Sequence, residues 1–215
     1  MTMSGTATRW QRYGAGNGAN RDVYEAILRA AADCFAIRGL RRTSMDDVAG
    51  AAGVSRATVY NYVNNKEMLV ADLVAREARR INDEARGQLD LTLPSTELIA
   101  EAELAILDGA IKSPLAEVFT SVDVVDLTAD AIGHSPSFAD VQHGYWSAVF
   151  DIIRDRGELR DGLDEDEAIN WLTSISFLLT TGPTTFEHDK EVQRRYLVNY
   201  VAPAFVACAT DTASD

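Results

Sequence analysis

Apolar residues recur at helical spacing along most of the chain. Between residues 22 and 38, Ile27, Ala30, Ala31, Cys34 and Phe35 share one face of an amphipathic helix, and Gly39 follows where a helix end favours a left-handed residue. The pattern restarts at Ser44. Its hydroxyl can cap a helix, and Asp47, three residues on, can reach back to the Ser44 amide. Met45, Val48, Ala49 and Ala52 then fall on one face, and small Ala49 lets a second helix cross closely. Gly53 marks a sharp turn, Ser55 caps a further helix, and Val54 and Val59 point inward. The exposed surface of that helix falls to Ser55, Arg56, Ala57, Thr58, Tyr60, Asn61 and Tyr62.

Beyond Asn64-Asn65-Lys66 every segment again reads as helix, over residues 66–88, 95–110, 114–131, 136–156, 164–181 and 188–209. Breaks fall at Pro94, Ser113-Pro114, His134 to Pro136, Gly157 to Gly162 and Gly182-Pro183. No period-two run and no alternation of strand and helix signals occurs. The expected fold class is therefore all-α, with about nine helices. An N-terminal three-helix domain with a helix-turn-helix layout is followed by a larger helical body. The divisions are a flexible arm over 1–20, a helix-turn-helix domain over 21–67 and the helical body over 68–215.

Two short helices around a tight turn, the second with an outward face rich in hydrogen-bonding groups, have the layout of a DNA-reading element. Arginine can donate twice to guanine O6 and N7, asparagine can pair with adenine N6 and N7, and Ala and Thr methyls can touch thymine. Arg56, Asn61, Ala57 and Thr58 supply those groups. The other reading of the segment, an ordinary helical hairpin, is weakened by its flanks.

The flanks and the turn together resemble the TetR family of bacterial transcriptional regulators. The resembling residues are Ile27, Ala30-Ala31, Phe35 and Gly39, then Thr43-Ser44, Val48-Ala49, Ala52-Gly53-Val54-Ser55, Thr58-Val59-Tyr60, Tyr62-Val63, Lys66-Glu67 and Leu69. They span residues 21 to 70. Asp164 to Leu172 and Tyr196 to Pro203 are weaker echoes of the family's last two helices, and Val63 stands where many members have Phe. The resemblance implies that the helix from Ser55 to Tyr62, within a helix-turn-helix over 44–63, enters the major groove of double-stranded operator DNA. It also implies phosphate contacts from Thr43, Tyr60, Tyr62 and Lys66. With Ser44, these are the expected DNA-binding residues.

Net charge first argues against such a partner, because the whole chain carries −13. The charge is unevenly spread. Residues 1 to 70 hold nine Lys/Arg against six Asp/Glu, net +3, and the remainder holds eleven against twenty-seven, net −16. Screening confines phosphate attraction to about 8 Å at physiological salt, so a mildly basic reader can work beside an acidic body. In the arm, Arg9 and Arg12 flank Trp10 and Gln11, and with Arg21 they could enter a minor groove. A tail without function is the competing reading.

In the body, Trp171, Leu172, Ile175 and Leu179 form one apolar stripe, and Leu197, Tyr200, Val201 and Phe205 form another. Two such helices from each of two subunits would make a four-helix bundle, so a homodimer is expected. Ile106, Phe119, Val122, Trp146 and Phe150 are candidate walls of an effector cavity, with Gln142, His143 and Tyr145 as polar anchors. A plain core is the competing reading for the same residues. The acids Glu101, Glu103, Asp108, Glu117, Asp123 and Asp126 could favour a cationic ligand, but they read mostly as solvent-facing.

Catalytic apparatus is not visible: no phosphate-binding loop follows a strand, and no serine stands in a nucleophile elbow. Asp140 and His143 have a metal-compatible spacing, but no second pair completes a site, so no metal and no cofactor is expected. Cys34 and Cys208 read as free buried thiols. Without a signal-type apolar run, or the roughly 18 apolar residues of a membrane helix, a cytoplasmic protein with no membrane association is expected. The expected function is a transcriptional regulator, a repressor released from its operator by an unidentified small-molecule effector. A regulator controlled by a partner protein, and a helical enzyme with a fortuitous helix-turn-helix, stay open.

Overall fold

A computed structural model of the chain describes residues 18–120, 124–181 and 189–207. Ten α-helices account for most of them: α1 (Gly18–Arg38), α2 (Met45–Ala52), α3 (Arg56–Tyr62), α4 (Lys66–Arg86), α5 (Ser95–Lys112), α6 (Ala116–Thr120), α7 (Val125–Gly133), α8 (Pro136–Asp155), α9 (Glu165–Thr181) and α10 (Lys190–Tyr196). The extended pairing among the described residues is one isolated antiparallel bridge, Leu159 with Val206. The all-α expectation holds.

Two compact units divide the chain. The first comprises the described residues up to Glu77 together with Pro114–Asp140, and the second comprises Ala78–Ser113 with the described residues from Val141 onward. The core of the first is built on Ile27, Leu28, Ala31 and Phe35 of α1, Val48 and Ala49 of α2, Val59 and Val63 around the end of α3, and Leu69 and Leu73 of α4. Leu115, Phe119 and Val124 join it from the later segment. In the second unit Leu98, Leu104 and Leu107 of α5 pack with Trp146, Phe150 and Ile153 of α8, Ile169 and Leu172 of α9, and Leu197, Val201 and Phe205.

Two expected helices differ in form. The segment expected to be helical over 114–131 contains two helices, α6 and α7. The last helix loses its α-geometry after Tyr196. It widens into a π-turn over Leu197–Val201 and tightens into a 3-10 turn over Ala202–Ala204. Pro203 has no N–H to donate and cannot continue an α-ladder, which accounts for the change of pitch there.

Within the second unit α4 and α5 cross very closely. A Cβ added at Gly109 would lie 2.6 Å from Ile81 Cγ2, so glycine is the residue that permits this crossing.

Candidate nucleic-acid interface

The local chemistry of the helix-turn-helix closes its ends. Ser44 Oγ accepts from the Asp47 amide at 3.2 Å, and Asp47 Oδ2 accepts from the Ser44 amide at 2.9 Å, completing the capping box. Ser44 Oγ also donates to Asp47 Oδ2 at 2.7 Å, and this bond, with that from the Ser44 amide, lowers the pKa of the Asp47 carboxyl from the ordinary aspartate value. Arg38 pairs with the same carboxylate. Gly53 terminates α2 in the left-handed region (φ 67°), and the Val54 amide donates to Ala49 O at 3.1 Å, which directs the chain into α3. Ser55 Oγ then accepts from the Thr58 amide at 3.0 Å.

α3 divides cleanly by face. Val59 and Tyr62, with Val63 just beyond the helix, are buried, whereas Arg56, Ala57, Tyr60 and Asn61 are exposed. Ser44 and Ser55 are also exposed, and Thr58 is half-buried. Arg56 Nη1 donates to Asp46 Oδ2 at 2.8 Å, and its guanidinium lies 5.4 Å from the centroid of the Tyr60 ring.

Three expected contacts stand elsewhere than on an open surface. Tyr62, expected on the exposed face, is buried: its hydroxyl donates to Asn20 Oδ1 at 3.0 Å and its ring stacks on Tyr24 with centroids 6.0 Å apart. As Val59 plus three it falls on the inward side of the helix, and its ring completes the joint with α1. Thr43 is buried too, with its Oγ1 3.1 Å from Cys34 O and 3.0 Å from Gly39 O, holding the turn after α1. Lys66 is half-buried. Its Nζ donates to Arg41 O at 3.1 Å and Thr43 O at 2.9 Å, and burial lowers its pKa from the ordinary lysine value. Two cations that the sequence pattern leaves unassigned, Arg41 and Arg42, are exposed in that same turn, with Arg42 Nε donating to Arg38 O at 2.8 Å. Their signal is the basic run Arg38, Arg41, Arg42. Arg21 is exposed on α1; Arg9 and Arg12 lie outside the described residues.

The residues expected to line an effector cavity do not share one core. Ile106, Tyr145, Trp146 and Phe150 belong to the second unit's core and Phe119 to the first's, while Val122 lies outside the described residues. Gln142 is buried and accepts from Asn82 Nδ2 at 3.0 Å. His143 is partly exposed, its Nε2 3.4 Å from Asp166 Oδ1. Tyr145 donates to Ala102 O at 3.0 Å, and burial raises its pKa.

Glu103, read as solvent-facing, is fully buried in the second unit. Ser176 Oγ donates to one carboxylate oxygen, and burial pushes the carboxyl up to about 8. Among the described residues no group of three His, Cys, Asp or Glu could hold a metal.

The expected dimer stripes are mostly closed within the chain. Leu172, Ile175, Leu179, Leu197, Val201 and Phe205 lie in the second unit's own core, while Trp171 and Tyr200 stay exposed. A stripe wide enough to serve an interface is also wide enough to serve a core, and intramolecular packing claims its inner half.

The model of the bacterial regulatory proteins of the tetR family matches residues 27–73. The matched stretch, which holds the helix-turn-helix, is a TetR-family segment. Among relatives, the chain is 32% identical over 87 residues to the uncharacterised HTH-type transcriptional regulator YhgD of Bacillus subtilis, covering 40% of this chain and 46% of the relative. It thus spans about half the length of that relative. It is 26% identical over 182 residues to the transcriptional repressor KstR2 of Mycobacterium tuberculosis, covering 80% and 87%. A TetR-family transcriptional regulator from Haemophilus influenzae has the same fold, with a TM-score of 0.56 at 21% identity over 89% of this chain and all of that one.

Proposed function

We propose that this chain is a TetR-family DNA-binding repressor that acts as a homodimer in the cytoplasm and leaves its operator when a small molecule binds the body. The carrying observation is the division of α3: buried Val59 and Tyr62 fix the helix while Arg56, Ala57, Tyr60 and Asn61 point outward. A seven-residue helix covers few base pairs, so two copies on an inverted repeat supply the discrimination. Trp171, Leu178 and Tyr200, at 54%, 43% and 75% exposure, are large apolar side chains left open on the last two helical segments, and a second copy would cover them. Support for repression comes from the relative KstR2, which is itself a transcriptional repressor. α4 is a single helix from Lys66 beside the reader to Arg86 in the second unit, a covalent route by which effector binding in the body reaches the reader.

Selection from a pool of randomised duplexes tests the reading. The expected product is one motif made of two inverted half-sites. Arg56→Ala should weaken binding to it by about 1–3 kcal/mol and relax one base position in each half. Enrichment of no motif at all would defeat the proposal.

A further inference from the structure

Arg56 is held from two sides. Asp46, in the first turn of α2, takes one N–H of Nη1 at 2.8 Å, and the Tyr60 ring lies beneath the guanidinium. A guanidinium carries five N–H donors in one plane, so a single bond to Asp46 leaves enough of the fork for guanine O6 and N7. Asp46 and Arg56 are both largely exposed, at 60% and 61% of their side-chain surface, and an exposed pair adds little to folding stability. A carboxylate on a surface facing phosphates is moreover unfavourable for binding any duplex. The N-terminus of α2 favours an acid in its first turn, but that alone does not account for the bond to Arg56.

We propose that Asp46 is a positioning residue for sequence reading. It fixes the guanidinium plane of Arg56 in the orientation that meets a guanine edge, and its charge disfavours duplexes that offer no guanine in return. Arg56 leaves Asp46 partly bonded and keeps its rotamer on entering the groove, which lowers the entropy lost on binding the correct base. The inference rests on the DNA-reading function proposed above. It adds that selectivity resides in a pair spanning both helices of the motif.

The test uses the full chain and three duplexes: the motif enriched by the wild type, the same motif with the Arg56-dependent G·C pair changed to A·T, and a random sequence. Asp46→Ala should lower the affinity ratio of the first two by about fivefold, the scale of coupling between directly paired residues, while binding to the random duplex stays equal or tightens. Asp46→Asn keeps an acceptor without the charge and should fall between. In an Arg56→Ala background, Asp46→Ala should leave the ratio unchanged. Thermal melting of each variant separates these effects from a loss of α2. An unchanged ratio in Asp46→Ala, an equal loss without Arg56, or a wild-type motif in which no base depends on Arg56 overturns the inference and leaves DNA reading intact. Failure of the wild type to enrich any motif defeats the underlying function instead.

Discussion

In the first unit polar side chains close helix ends and turns: Ser44 and Asp47 cap α2, Ser55 caps α3, and Thr43 and Lys66 hold the turn after α1. In the second unit several lie inside. Glu103 is wholly buried, and its Oε2, Trp146 Nε1 and Asn82 Oδ1 have no hydrogen-bond partner among the described residues. A buried polar atom without a partner costs free energy. The first unit buries polar groups too, Asp72 and Thr128 among them, but in the second a buried carboxyl is pushed up to about 8. The first suits a rigid presenter of side chains. The second suits a body whose interior is susceptible to a change of protonation or of occupant.

The contrast breaks most readily at Glu103. Its pKa is raised on folding, so between about 4.5 and 8 the folded chain holds a proton that the unfolded chain has released, and stability falls as pH rises through that window. Glu103→Gln should flatten the dependence. Relative to wild type it should gain at least ~2 kcal/mol between pH 5 and pH 8, because holding the proton costs ~1.4 kcal/mol for each pH step within the window. Denaturant melts at the two pH values check this, and a variant retaining the wild-type slope would place the dependence on other groups. Gly109→Ala tests packing in the same unit. The added methyl meets a β-branched side chain that cannot swing away, and a loss of about 2 kcal/mol is expected for overpacking. A thermal melt equal to the wild type's would show that α4 and α5 can part at no cost. The smallest effect belongs to the first unit, where Ser44→Ala removes a cap and should cost about 1 kcal/mol in chemical denaturation. No change there would mean that Arg38 and Asp47 hold the helix end without it.

Legibility follows the range of the interactions. The capping box, the Gly53 turn and the inward Val48, Ala49 and Val59 can be read from the sequence because each rests on residues within a turn or two. Tyr62 misleads because its residue type suggests a phosphate contact, although its spacing from Val59 places it inward. The half-burial of Lys66 is not legible because its partners, Arg41 O and Thr43 O, lie more than twenty residues away. Glu103 is misjudged when charge alone decides. It shares a helical face with Ile99 and Leu107, four residues to either side, and both are buried. The dimer stripes are divided, with Leu172 and Leu197 in the chain's own core and Trp171 and Tyr200 left exposed. Helical period cannot tell a surface reserved for a partner from one reserved for the chain's own core.

The two-faced α3 has one more implication, for how such a molecule acquires new addresses. The residues that hold the helix, Val59 and Tyr62, alternate with those that face outward, Arg56, Ala57, Tyr60 and Asn61, and the two sets do not overlap. Outward positions can therefore drift or be exchanged while the scaffold keeps its shape. On the proposed DNA-reading function, substitutions on this seven-residue helix change the address without touching the scaffold, one side chain at a time.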